Sequence, residues 1–413
     1  MKEKFSILKV SICIAILIGN VFPSAKANCA EPYHLGVALG LTGTGAQYSK
    51  QAVEAIELAV SQINAEGGLL GKHPINLVVR DTQTDAQVAV EVVEKLIAEN
   101  QVRCIIGTYS SAAAQAIKPI CRQNKVLHIA TISNSEDITK LDFSPYTFSV
   151  VPNTYMMAKG LVFGVSTLSR KTGWKTYATI ASDYVWGRSS QNIQVDLMKQ
   201  VAPEIELVGA YWPKLGETQF NGFIVAIMAL KPDFVLGTIG GADNAFWMRD
   251  AREYRLFKQI EYPGGLISVS ELIEQATSIP RGRYGRCRAP FFAHLDVPMM
   301  VQFVDAYTAK YDRYPTDWAV MSYDGVYALK QGVEKAGSID SEKVKNSMKV
   351  SSINTTRGKL YFRDVDNQLA CSAYFGRVAD DPRYSFPIYH DLSEIKGPEI
   401  WRSKEEILAA RRK

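Results

Sequence analysis

The chain has 413 residues, 47% hydrophobic and 22% charged, with a formal net charge of +5. That composition belongs to a folded globular protein, neither disordered nor fibrous, and the length suits two or three domains, because single cores stop growing at roughly 250–300 residues. The charge is too small and too evenly spread to form a nucleic-acid-binding surface.

The first element in chain order is a processing signal. Lys2, Lys4 and Lys9 precede an apolar run from Val10 to Val21, and Ala25 and Ala27 are the small residues that favour cleavage before Asn28. The run is shorter than the about 20 residues of a membrane span, so residues 1–27 read as a cleaved signal peptide, with a retained amphipathic anchor as the alternative. Cleavage removes four lysines and one glutamate and leaves a net charge of +2. Cys29 raises the question of lipidation, but Lys26-Ala27-Asn28 before it is not the Leu-small-small pattern that lipidation requires.

From Tyr33 the pattern alternates. His34–Leu41 reads as a buried strand, and Val53, Ile56, Val60 and Ile63 form the apolar stripe of a helix that Gly67-Gly68 stops. Ile75–Val79 is a strand, Asp85 caps a helix carrying Val88, Val92 and Leu96, and Cys104–Gly107 is a strand. Helix Ala112–Gln123 and strand Val126–Ile132 follow. The rhythm restarts after Ser144–Asn153 with helix Tyr155–Thr167, strand Thr176–Ala181, helix Arg188–Val201, strand Ile205–Trp212, helix Phe220–Leu230, strand Phe234–Thr238 and helix Asn244–Tyr254. Strands alternating with amphipathic helices predict parallel βαβ units, here two of them. Helices Met299–Tyr311, Ala319–Ala336 and Glu342–Met348 are expected to complete the first unit. Strands near Leu360–Phe362 and Ala373–Val378 are expected to complete the second, and Arg402–Lys413 to form a solvated helical end.

Five cysteines follow the cleavage site, none in CxxC spacing, so a zinc site is not expected. Cys104 opens a strand and Cys121 ends the helix returning beside it, which makes Cys104–Cys121 a candidate disulfide in an oxidising compartment. Cys287 with Cys371 is a second candidate, and Cys29 is left over.

Residues 34–81 resemble the opening of the leucine/branched-chain amino-acid-binding family, the periplasmic receptors of ABC importers. The marks are Leu41-Thr42-Gly43, Gln47-Tyr48, the helix end Ile63-Asn64-Ala65-Glu66-Gly67-Gly68, Gly71 and Asp81. Further segments match in order at 105–115, 183–187, 231–241, 323–337 and 357–362. The resemblance implies an α/β, type I periplasmic-binding-protein fold: two doubly wound parallel-sheet lobes joined by a hinge of three crossings. Residues 28–148 with 292–356 would form one lobe, and 149–291 with 357–413 the other. It also implies a periplasmic, monomeric protein without cofactor that captures a small molecule and hands it to ABC-transporter permease subunits. A ligand-sensing receptor acting through a separate membrane partner is the alternative.

Open α/β sheets bind ligands beyond the carboxyl ends of their strands, which places the candidate site residues. Ser110 and Ser111 open a helix whose free N–H groups suit an oxyanion, or they are ordinary caps; the family places a carboxylate-binding serine at the position of Ser111. Ile132, Ser133 and Asn134 end the next strand and, by resemblance, face the same end of the ligand. Tyr48, Tyr109, Trp186 and Trp318 are candidate cleft walls, although single aromatics are more often core. The acid that amino-acid binders use for the ligand ammonium is missing from Tyr262–Ser268, and their aromatic hydroxyl falls at Gly240. Asp183 and Asp243 could substitute or could be loop and cap residues. A buried ammonium without an acceptor is costly, so the expected ligand is an organic carboxylate, aromatic in character, rather than a standard amino acid.

Gly40-Leu-Thr-Gly43-Thr-Gly45 mimics a dinucleotide loop without the GxGxxG spacing. There is no Gly-x-Ser-x-Gly, His-Glu-x-x-His or P-loop, and the five histidines are scattered, so no enzyme is expected.

Overall fold

The computed structural model describes residues 30–412 except 264, 278 and 351. The expected signal peptide, residues 1–27, and Cys29 therefore lie outside the described residues. Strands β1 (Tyr33–Leu39), β2 (Ile75–Asp81), β3 (Cys104–Gly107), β4 (Leu127–Ala130) and β5 (Thr147–Ser149) form one parallel sheet in the order β2-β1-β3-β4-β5. β3 and β4 are buried at every residue, as strands covered on both faces must be. Helices Ala46–Ala65 and Asp317–Ala336 pack together on one face, and helices Ala86–Ala98 and Ser111–Gln123 on the other. Asp85 does cap its helix, accepting from the N–H groups of Gln87 and Val88. Gly68 holds a φ of +80°, and a Cβ there would stand 2.3 Å from the His73 carbonyl oxygen, so the turn into β2 requires glycine.

The second unit is built on β6 (Thr176–Ala181), β7 (Glu206–Tyr211) and β8 (Phe234–Thr238), parallel in the order β7-β6-β8. β9 (Gly265–Leu266) lies beside β8 and runs parallel to β10 (Tyr284–Cys287). β11 (Ser352–Thr355) and β12 (Gly358–Tyr361) make a hairpin packed against helix Asp317–Ala336. The segment at Leu360 therefore stays with the first unit instead of joining the second sheet. β13 (Ala373–Ala379) and β14 (Ile388–Ile395) pair antiparallel in a second, four-stranded sheet of this unit, in the order β14-β13-β10-β9. The chain passes between the units three times, at 150–153, 288–297 and 362–372. Two of these crossings are bound together: Gln368 Nε2 donates to the Val151 carbonyl at 2.6 Å and the Ser149 N–H to the Asn367 carbonyl at 3.1 Å.

The expected disulfides are corrected too. Cys104, Cys121, Cys287 and Cys371 are all buried free thiols, so neither candidate disulfide forms. Strand alternation is the reason for the first pair. Cys104 and Ile106 point into the core under helix Ala46–Ala65, whereas Ile105 and Cys121 pack on the opposite face of the sheet. Burial pushes the Cys121 thiol up to about 12 and Cys104 well above its ordinary value, which removes the reactive thiolate. A reducing agent should leave the thermal midpoint unchanged; a fall of several degrees in dithiothreitol would reveal a bridge.

The C-terminal end forms the expected helix, Lys404–Ala410, with Lys404, Glu405 and Glu406 exposed. It is also tied to the body of the protein: Ile407 is buried, Arg402 forms a bidentate pair with Glu136 and lies 3.9 Å over the Tyr155 ring, and Arg411 donates to the Lys140 carbonyl.

Candidate functional site

The carboxyl ends of β3, β4, β6 and β8 face one another across a small cavity, where open α/β sheets place their ligands. One wall comes from the first unit. Ser111 stands at the start of helix Ser111–Gln123, beside Ile132, Ser133 and Asn134 in the turn after β4. The other wall carries Tyr184 and Trp186, from the turn after β6, and Gly240, from the turn after β8. Tyr48, Tyr109 and Trp318 close one side, and Arg288 enters from the second crossing.

Tyr48 and Trp318 stack with ring centroids 4.7 Å apart and an interplanar angle of 24°. Tyr109 tilts against Tyr48 at 6.1 Å, and Tyr184 against Trp186 at 5.8 Å. The guanidinium of Arg288 lies 4.7 Å from the Trp318 ring centre, so Trp318 is held between an aromatic ring and a cation. Flat apolar walls of this kind suit a planar ligand.

The polar atoms carry more information. Arg288 is buried, and its Nε and Nη1 have no hydrogen-bond partner among the described residues. The Ser133 hydroxyl and the Trp318 indole N–H are unpartnered too. Each buried unpaired donor costs about 1–3 kcal/mol, so these groups mark what a ligand must satisfy: its acceptors. The start of helix Ser111–Gln123 adds backbone N–H groups and a favourable dipole. Burial lowers the Arg288 pKa, with Asp317 the first of the carboxylates that oppose the shift.

Carboxylates surround the cavity without lining it. Glu271 is buried, accepts from the Tyr48 hydroxyl, and takes the Ser268 N–H at 2.8 Å as part of a capping box. Asp243 accepts the Gly216 N–H at 2.9 Å, and burial raises its pKa to about 6. Burial also raises Asp317 to about 7. Asp183 is ion-paired to Arg188 at 2.6 Å, away from the cavity wall. Among the described residues no group of three or more His, Cys, Asp and Glu side chains could hold a metal ion.

Besides Asp183 and Asp243, Ser110 is the residue singled out in the sequence that the structure keeps off the cavity wall. It is the N-cap of its helix, with its hydroxyl turned to the Ala113 N–H at 3.4 Å, leaving Ser111 to face the cleft. Asn134 lines the cavity, but its amide donates to the Pro152 carbonyl at 2.9 Å and so also braces the first crossing. Tyr184 and Arg288 were not anticipated. Arg288 closes a run, Arg281–Arg288, that carries four arginines, so its charge alone does not single it out in the sequence. Arg286 lies deeper and donates to the Gly237 carbonyl and the Thr238 hydroxyl, which steadies the strand end leading to Gly240.

The cleft is closed. Tyr48 from the first unit reaches Glu271 of the second, Gln51 donates to Glu274 at 2.9 Å, and Ser270 donates to Gln51 at 3.2 Å.

Comparison with known proteins agrees with this architecture. Residues 32–382 match the family model described as periplasmic binding protein. A leucine-, isoleucine-, valine-, threonine- and alanine-binding protein of Pseudomonas aeruginosa is 25% identical over 336 residues, 81% of this chain and 86% of the relative. Among solved structures, a periplasmic binding protein from Burkholderia mallei superposes with a TM-score of 0.81 at 21% identity, covering 91% of this chain and 97% of the other. A solute-binding protein of an ABC transporter from Rhodopseudomonas palustris BisB5, in complex with 3,4-dihydroxybenzoic acid, gives a TM-score of 0.78 at 21% identity, covering 89% and 99%. These relatives are substrate-binding proteins, not enzymes. The chain belongs to the periplasmic binding protein family, in its branched-chain amino-acid-binding branch with the type I fold.

Proposed function

We propose that this protein captures an aromatic carboxylate between its two lobes outside the cytoplasm and delivers it to an ABC-type permease. The observation that carries the ligand assignment is the set of unpartnered buried donors on the cavity wall: Arg288, Ser133 and Trp318. A carboxylate satisfies them. An ammonium group would instead meet the Arg288 cation, with Glu271 and Asp243 already engaged by other donors. The stacked tyrosine and tryptophan rings supply the flat apolar walls, and the structural relative holding 3,4-dihydroxybenzoic acid supports the same class of ligand. The ligand carboxylate is expected at Ser111, Ser133 and Arg288, with the ring between Tyr48, Tyr109, Trp186 and Trp318, and with Ile132, Asn134 and Gly240 shaping the ends.

Calorimetry with benzoate, hydroxybenzoates, leucine and valine tests the reading. Benzoates are expected to bind, and at hundredfold excess over Kd to stabilise the protein by about 2.7 kcal/mol. Binding of leucine or valine with no response to any benzoate would overturn it.

A further inference from the structure

Charge balance around the closed cavity leads to an inference that rests on the anionic-ligand reading. Arg288 is the cation on the cavity wall, and it interacts with two buried carboxylates, Asp317 and Glu271, even before a ligand arrives. Asp317 begins the helix that carries Trp318 in the first unit, and Glu271 sits in helix Val269–Glu274 of the second. Both are at most 3% exposed, and they repel each other across the cleft. Two ionised carboxylates facing one guanidinium would leave that dry space negative before an anion entered it, and a ligand carboxylate would make it more so.

We propose that capture of the anion takes up a proton on the Glu271–Asp317 pair, and that Glu271 is a positioning residue that acts through Tyr48. The Tyr48 hydroxyl bridges the cleft to the Glu271 carboxyl, while the Tyr48 ring forms part of the cavity wall stacked on Trp318. A neutral Glu271 keeps this bridge and no longer repels the ligand. The groups facing the pair agree. Glu271 is flanked by Tyr48, Arg288, Tyr109, Glu274 and Tyr389, and receives the Ser268 N–H. Asp317 is flanked by Arg288, Cys287 and Tyr389. Arg288 is the single cation beside the pair among these groups.

The titration has a definite sign. Opening the cleft returns both carboxyls to water and to ordinary acidity, whereas closure raises Asp317 to about 7 and raises Glu271 as well, chiefly by desolvation. A group whose pKa is higher in the closed state favours closure when protonated. Its contribution is full below the open-state value and is lost as pH rises through the closed-state value.

Calorimetric titration of the full mature protein with benzoate, at pH 7 in buffers of different ionisation enthalpy, measures the protons exchanged. Net uptake of about half a proton to one proton is expected, and between pH 6 and 8 the Kd should rise by between about tenfold and hundredfold. Glu271→Gln retains an acceptor for Tyr48 but cannot gain a proton. It should reduce both the proton uptake and the slope of Kd against pH, and adding Asp317→Asn should abolish them. Benzoate binding with no proton uptake in the wild-type protein overturns the proposal while leaving the anionic-ligand reading intact; so does full uptake in the double variant. Failure of every benzoate to bind overturns both.

Discussion

Arg288→Met should lower the affinity for benzoate by at least about thirtyfold. Arg288 is a buried cation whose Nε and Nη1 have no hydrogen-bond partner among the described residues, so a ligand carboxylate is the group that would satisfy them. Truncating one member of a buried charged pair costs about 2–5 kcal/mol of binding, and each 1.4 kcal/mol is tenfold in Kd. Calorimetry with benzoate checks this, and a variant that binds like the wild type would remove Arg288 from the site.

The second large effect is expected at Asp324, which ties the hinge to the first unit. Its carboxylate accepts the Thr356 N–H at 2.7 Å, the Thr356 hydroxyl at 2.9 Å and Arg357 Nε at 2.8 Å, while Arg357 Nη2 donates to the Val150 carbonyl at 2.8 Å. Helix, hairpin and first crossing thus meet in one buried network, with the Asp324 side chain at 0% and that of Arg357 at 3% exposure. Asp324→Ala should destabilise the protein by about 3–5 kcal/mol, because it strands the Arg357 charge in the interior. The double variant Asp324→Leu/Arg357→Met should recover most of that loss. Urea unfolding with an unchanged slope measures it, and a loss below about 1 kcal/mol for the single variant would mean that the network contributes little.

These two residues show where the sequence could and could not be read. Asp324 and Arg357 lie in the family-like segments 323–337 and 357–362, yet nothing local says that they pair across 33 positions. Arg288 is one of four arginines in Arg281–Arg288, and the sequence does not reveal which of them keeps unsatisfied donors. The missing acid in Tyr262–Ser268 was legible and pointed away from an amino acid. What filled the space was not: Glu271, three residues further on, is occupied by Tyr48 from the other unit.

The cysteines make the same point from the opposite side. Proximity at one edge of a βα unit suggested a Cys104–Cys121 bridge, but the two-residue period of β3 turns Cys104 to the far face of the sheet. The charged tail looked solvated because its lysines and arginines alternate with glutamates, and only the fold brings Glu136 and Tyr155 beneath Arg402.

By itself the sequence determined the alternation of strands and helices, the two parallel units, the cleft at their carboxyl ends and the aromatic character of its walls. Those features follow from hydrophobic period and from glycine and capping residues, which act over a few positions. The tertiary structure alone decided which buried donors remain unpaired, which carboxylates are engaged across the cleft and which thiols fail to meet. Hydrogen-bond satisfaction and charge balance depend on partners as far apart as Tyr48 and Glu271, 223 residues along the chain, and no local pattern records them.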